Sequence, residues 1–209
     1  MRIGDIACPV TACADDVTLN NINTNDTQIL IDIAFDFSLK QKYKLQASKS
    51  VITETGKNIV HTQYQLGDTD MKTQSTTTHL DIQRSTSTKN TPIETVNENI
   101  KKARRTAYTL LSEGLHGNNG LDPETSLHLL KTYVLPVLLY GLEVIIPPPK
   151  CLQQMEIFHK QLLKQISLPQ NTADPAPYIL SGLLPIEEQL HIEILNFYNN
   201  ICMQDEQST

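Results

Sequence analysis

The chain has 209 residues and a formal net charge of −6, which leaves room for one large or two small domains with a real core. Hydrophobic residues make up 39 % and there is no Trp; the acidic balance lacks the global basic signature of many polyanion-binding domains, so only a local patch is left for that role. Cys8, Cys13, Cys151 and Cys202 form no C-x-x-C pair and are too scattered for a zinc site or a disulfide framework. The N-terminus has no signal-peptide apolar core. The most apolar stretch, Tyr133 to Ile146, carries Pro136, Gly141 and Glu143 and is too short to span a bilayer. These features predict a soluble intracellular protein with reduced thiols and no membrane partner.

In chain order, "PVTACADDVTLN" sets short β-branched and apolar pieces on both sides of Asp15 and Asp16, which predicts a hairpin with the acidic pair at its tip. "TNDTQILIDIAFDFSLKQK" carries Ile29, Ile33 and Phe37 at helical spacing, flanked by Leu30 and Ala34, with Asn25 or Asp26 as N-cap. "YKLQASKSVIT" ends in β-branched residues and predicts a strand. "NIVHTQYQL" and "THLDIQRS" predict two more, separated by a Thr/Ser-rich loop around Thr73 to Thr78.

Near residue 90 the pattern turns helical. "TPIE" reads as a capping box, with Thr91 as N-cap, Pro92 at the first helical position and Glu94 reaching back. Ile93, Val96, Ile100, Ala103, Ala107 and Leu111 then form one stripe, and Gly114 stops the helix. "DPET" at Asp122 opens a second helix with Leu127, Leu130, Val134 and Leu138 on its buried face and a kink at Pro136. After Pro147, Pro148 and Pro149 comes a third helix with Leu152, Met155, Phe158, Leu162 and Ile166. Beyond the Pro-rich "LPQNTADPAP" a fourth starts near Pro185 and presents Ile186, Leu190, Ile194, Phe197 and Ile201. The fold class expected is α+β: antiparallel strands plus one helix over residues 1–90, then an all-α helical bundle over 91–209.

Composition alone supplies roughly 0.7 Asp-Asp dipeptides by chance in such a chain, so the pair reads first as a solvated turn. At a hairpin tip it has a second reading. Mg²⁺ takes hard oxygen ligands, often one or two carboxylates plus substrate phosphates, and an ion relieves the repulsion between adjacent acids.

"CADDVTL" resembles the xADD motif of reverse transcriptases from non-LTR, LINE-like retrotransposons, where it sits on a palm-domain hairpin. "YKLQASKSVI" resembles the next palm motif, a strand with a Lys-Ser pair, here Lys49 and Ser50. "THLDIQR" is similar to the segment that follows, commonly "YLGI" or "HLGI". "YVLPVLLYGLEVI" resembles the P-x-L-L-Y-G-x-E region after the palm, and "LSGLLPIEEQLHIEILNFYNNI" its G-x-L-P helix. Order and spacing match over most of the chain.

The resemblance implies a partial palm in residues 1–90, a thumb-like region in 91–209, and two-metal nucleotidyl transfer to a primer 3′ end. It implies Asp15 as the catalytic metal ligand, Asp16 as a neighbour that tunes the site or adds a ligand, and Mg²⁺ as the cofactor, held only weakly where the first catalytic Asp is missing. RNA template and DNA primer are the implied partners, together with upstream polymerase segments of a longer polyprotein. Lys49 is implied near the incoming nucleotide's phosphates; from its residue type alone it is equally a surface lysine. Asp81 stands where the family has Gly, which weakens primer contact at that segment. The family's first catalytic Asp and its fingers lie upstream of xADD, and Asp5 sits on the same hairpin arm, so this chain by itself is expected not to polymerise DNA. An exposed strand edge in the first half and better order in the helical half are expected with it.

Residues 1–90 hold 9 Lys+Arg against 10 Asp+Glu, net −1, and residues 91–209 hold 8 against 13, net −5. One basic cluster stands out: Lys101, Lys102, Arg104 and Arg105. It is either an ordinary solvated helix face or, at a thumb-like position, a contact for backbone phosphates. Two readings from other classes compete with the polymerase. One is a non-catalytic helical interaction or nucleic-acid-binding module. The other, a small metal-dependent hydrolase, is disfavoured because the six His are scattered and no H-E-x-x-H occurs.

Overall fold

The computed structural model describes residues 2–3, 6–7, 10–14, 16–55, 62–115, 120–168 and 171–204. The fold is α+β. It divides into two compact units, Met1–Thr88 and Lys89–Thr209.

In the first unit, β1 (Arg2–Ile3) pairs with β2 (Ile6–Ala7), and β3 (Val10–Cys13) with β4 (Asp16–Leu19). Helix α1 spans Thr24–Lys40. Then come β5 (Val51–Ile52), β6 (Gln65–Leu66), β7 (Thr69–Asp70), β8 (Lys72–Thr73), β9 (Thr76–His79) and β10 (Ile82–Ser85). Apart from the parallel β5–β8 pair these are antiparallel two-stranded ribbons. Such ribbons are marginal without a packed face. Here a small core of Ile31, Tyr64 and Leu66 gathers Leu19, Phe35, Leu45, Ala47, Ile52 and Met71 around it.

Several local expectations are corrected. Asn23, not Asn25 or Asp26, caps α1, its side chain accepting from the Asn25 N–H at 3.1 Å. The helix turns Ile31, Phe35 and Ser38 inward, while Ile29, Ile33 and Phe37 are 56 %, 59 % and 55 % exposed. The segment "ILIDIAFDF" carries two apolar stripes, and the docking partners Tyr64 and Leu66 select the other one. Gln28 fixes that choice: its side-chain amide donates to the Gln65 carbonyl (2.9 Å) and accepts from the Gln65 N–H (3.0 Å), acting as a strand partner for β6. "THLDIQRS" is not one strand. It forms the tip and second arm of the β9–β10 hairpin, which turns at Leu80 (φ 49°) and Asp81 (φ 61°), and the loop expected around Thr73 to Thr78 is largely β8 and β9. Of "NIVHTQYQL", residues 58–61 lie outside the described residues and only Gln65–Leu66 is strand.

The second unit is helical among its described residues: α2 (Asn90–Ser112), α3 (Pro123–Leu129), a π-helical turn (Leu130–Val134), α4 (Leu135–Leu139), α5 (Pro149–Ser167), α6 (Pro175–Ser181) and α7 (Ile186–Cys202). Helix α2 starts before the expected capping box, so Thr91 lies inside it. Asp122 caps α3 as expected, accepting from the Thr125 N–H at 3.0 Å, and these hydrogen bonds hold its carboxyl below the usual carboxylate range. The kink expected at Pro136 takes the form of the π turn, in which the Leu135 N–H reaches back to the Leu130 carbonyl. Pro136 has no N–H, and its ring crowds the preceding turn, which the wider turn relieves. Helix α6 was not expected: Pro175 and Pro177 read as linker, yet they sit in its first turn, where no backbone donor is needed.

Val96, Ala103, Ala107, Leu130, Val134, Leu138, Met155, Phe158, Leu162, Ile166, Ile186 and Leu190 all enter one core. Buried Asn99 of α2 donates to the carbonyls of Leu138 (3.2 Å) and Tyr140 (2.8 Å). It thereby satisfies carbonyls at the end of α4 that lack helical partners. The chain then reverses at Gly141 (φ 74°), a conformation glycine adopts without strain. At the far end of α7 the expected stripe loses its cover: Phe197 and Ile201 are exposed.

Candidate functional site

The hairpin expected around Asp15 and Asp16 forms from β3 and β4. Cys13 opposes Asp16, Ala12 opposes Val17, Thr11 opposes Thr18 and Val10 opposes Leu19. The innermost pair is thus Cys13 and Asp16, with Ala14 the described residue of the turn. Ala14 has φ 53°, the left-handed conformation that hairpin turns of this length require at their first central residue. In a non-glycine residue this stores on the order of 1 kcal/mol of strain. Alternation splits the hairpin into two faces. Val10, Ala12, Val17 and Leu19 form an apolar face whose Leu19 packs on the unit's core, and Thr11, Cys13, Asp16 and Thr18 form the polar face.

Asp16 is exposed at the start of β4. Asp15, the residue on which the metal expectation chiefly rests, lies outside the described residues, as does Asp5. On the polar face, Thr18 Oγ1 lies 2.8 Å from His79 Nε2, which ties this hairpin to the end of β9. Nothing in the sequence marked His79 as its partner, because the bond spans 61 residues and joins two separate ribbons.

Among the described residues no group of three His, Cys, Asp or Glu side chains is placed to hold a metal ion. The described part of the tip therefore fits Mg²⁺ only as a contributor of one hard oxygen ligand, Asp16. Lys49 is exposed and belongs to a turn, not a strand: its N–H and that of Ser50 both donate to the Gln46 carbonyl, at 3.0 and 2.9 Å, just before β5. Among the described residues neither Asp16 nor Lys49 makes an ion pair.

The basic cluster does not act as one group. Lys101 pairs with Glu98 at 3.3 Å. Lys102 is half-buried on a different side of α2. Arg104 and Arg105 are exposed, and among the described residues they make no ion pair. The Arg104 guanidinium lies over the Phe158 ring of α5, 5.8 Å from its centroid. Here α2 and α5 leave a groove of about 60 Å³ lined by Arg104, Ala107, Tyr108, Phe158, Gln161, Leu162 and Gln165.

A half-buried polar cluster also escaped the sequence. Glu156 of α5 accepts from the Tyr178 hydroxyl of α6 and from the Ile186 N–H that opens α7, the latter at 2.8 Å. A carboxylate there satisfies an orphan donor and suits the positive end of the helix dipole. Burial, and then the bond to Glu156, push the Tyr178 phenol up. Beside it, His159 is 1 % exposed and tilts against the Tyr178 ring at 5.7 Å, with both ring nitrogens unpartnered. Burial pushes its pKa down to about 4, against the pull of Glu156, so the ring is neutral near pH 7.

No described helix is long and apolar enough to cross a membrane. Comparison with protein-family models, with curated proteins and with solved structures returns no match.

Proposed function

We propose that the chain is part of an RNA-directed DNA polymerase of the non-LTR retrotransposon kind, with palm elements in residues 1–90 and a thumb-like helical region in 91–209. The observation that supports this most is the tight β3–β4 hairpin, which sets an exposed Asp16 at the first strand position after its turn on a ribbon with one apolar and one polar face. Asp15 and Asp16 would hold Mg²⁺ together with oxygens from a further strand and from substrate phosphates; the bound ion would neutralise phosphate charge during nucleotidyl transfer. Lys49, free to swing on its turn, would meet the phosphates of the incoming nucleotide. RNA template and DNA primer are the partners on this reading.

A two-metal clamp needs carboxylates from two strands, and among the described residues no group of three or more metal-ligating side chains forms around Asp16. Purified chain given Mg²⁺ or Mn²⁺, primer–template and nucleotides is therefore expected to show no extension. Extension by the chain alone that Asp15→Asn abolishes would overturn the half-site view. Sequencing the transcript upstream of the Met1 codon tests the family reading. An open frame encoding fingers and a further catalytic Asp supports it, and an intact transcript without one replaces it with a separate helical module. That second reading is favoured by one feature, the groove beside Arg104.

A further inference from the structure

We propose that the groove between α2 and α5 binds single-stranded nucleic acid, with Arg104 as the phosphate anchor and Tyr108 as a stacking platform for a base. It deepens the nucleic-acid reading above but rests on the second unit alone, so it stands whether or not the hairpin takes part in nucleotide transfer.

Four observations converge. Lys101, Arg104, Arg105 and Tyr108 follow the i, i+3, i+4, i+7 spacing that brings residues to one face of a helix. Of these, Lys101 is occupied by Glu98, so the open positive charge belongs to the two arginines. Arg104 is held in place because its guanidinium rests on Phe158. Such a cation–π contact uses none of the guanidinium N–H donors, which are left for a phosphate. The groove lining contains no carboxylate, although the second unit is acidic as a whole; instead Gln161 and Gln165 add neutral amide donors opposite the arginine. At about 60 Å³ the recess suits one phosphate group, not a whole nucleotide.

Tyr108 supplies the rest. Its ring is 59 % exposed at the rim of the groove, next to Arg104 and Arg105. An exposed aromatic beside cations has the composition of single-strand binding surfaces. There, bases stack on rings while a basic groove follows the backbone. A duplex hides its bases in the stack and would use the arginines without the tyrosine.

The test is fluorescence anisotropy of the full chain with fluorescein-labelled oligo(dT), oligo(rU) and a mixed-sequence DNA duplex. Single strands are expected to bind, with log affinity falling linearly in log salt between about 50 and about 200 mM. Arg104→Gln is expected to weaken binding and reduce the salt slope by about 1. Tyr108→Ala is expected to weaken it about tenfold and Tyr108→Phe to leave it unchanged, because stacking needs the ring and not the hydroxyl. Melting curves of the variants control for folding, and Tyr108, being exposed, keeps the test valid if Arg104→Gln disturbs packing on Phe158. Failure of both oligonucleotides to bind, or binding unaffected by Arg104→Gln and Tyr108→Ala, overturns the proposal. Duplex binding as tight as single-strand binding, indifferent to Tyr108→Ala, overturns the single-strand assignment. Ile33→Ala, an exposed change on α1 of the first unit, is expected to leave this binding intact, and extension assays read the hairpin separately.

Discussion

The two units solve the same problem with unequal means. Among the described residues the second unit buries nineteen apolar side chains in one core, from Val96 to Leu190, whereas the first buries three: Ile31, Tyr64 and Leu66. Buried apolar area is the main favourable term in folding, so cooperative stability should reside in the helices. The first unit hangs short ribbons on one helix and leaves Ile29, Ile33 and Phe37 of that helix in water. Its order depends on turns and single hydrogen bonds, while order in the second depends on packing.

The largest effect that would break this contrast is a core truncation. Met155→Ala, at a fully buried site, should cost about 3 kcal/mol in denaturant unfolding, whereas Ile33→Ala on α1 should change stability by less than about 0.5 kcal/mol. Comparable losses at the two positions would mean that the exposed stripe is covered in solution.

Acid should strike the second unit next. The His159 pKa is lowered from 6.5 to about 4 in the folded state, so the neutral ring's contribution is fully present above pH 6.5 and is lost as pH falls through about 4. For this buried group the loss amounts to roughly 3 kcal/mol. The exposed carboxyls of Asp122 and Asp174 are also held low by their hydrogen bonds and contribute to the same acid limb. His159→Phe isolates the ring. It should leave the melting temperature at pH 7 equal or higher, since two unpartnered nitrogens are removed, and flatten the decline toward pH 4. An unchanged pH profile would contradict the buried neutral state.

Turn substitutions have the smallest effects, and they sharpen the view of the first unit. Gly67 has φ 59°, and a Cβ there would come within 2.7 Å of the Phe35 ring, so Gly67→Ala should cost about 1–2 kcal/mol. Asp81→Gly should act oppositely and add up to about 1 kcal/mol, because Asp81 holds φ 61°. Thermal melts of the two variants read both signs.

What the sequence made legible follows the same division. The helices of the second unit announce themselves through the 3.6-residue period, since stripes such as Met155, Phe158, Leu162 and Ile166 have only one way to be buried. On α1 the period was readable but the face was not, because two stripes compete and the deciding partners, Tyr64 and Leu66, lie far along the chain. The hairpin at Leu80 and Asp81 was hidden because a single Asp preceded by Leu is a weak turn signal inside a run that alternates like one strand, although the Gly expected there by resemblance falls at a left-handed position. That position explains a Gly through backbone conformation, with no need for close approach to a primer. At the candidate site the hairpin itself was legible from turn chemistry, but its register was not. His79 beside Thr18 and Phe158 beneath Arg104 were not, since each contact joins elements that no local pattern relates.

The proposed polymerase reading makes Asp15 and Asp16 half of a divalent-cation site, one that holds an ion only weakly in this chain alone. It is tested most directly by titrating Mn²⁺ into isotopically labelled protein and following paramagnetic broadening of backbone amide signals. The tip amides of Ala14, Asp16 and Val17 should broaden first, ahead of those near Glu187 and Glu188 on α7, and the Asp15→Asn, Asp16→Asn double variant should lose the effect. Sharp signals at the tip, while amides beside other carboxylates broaden, would contradict it.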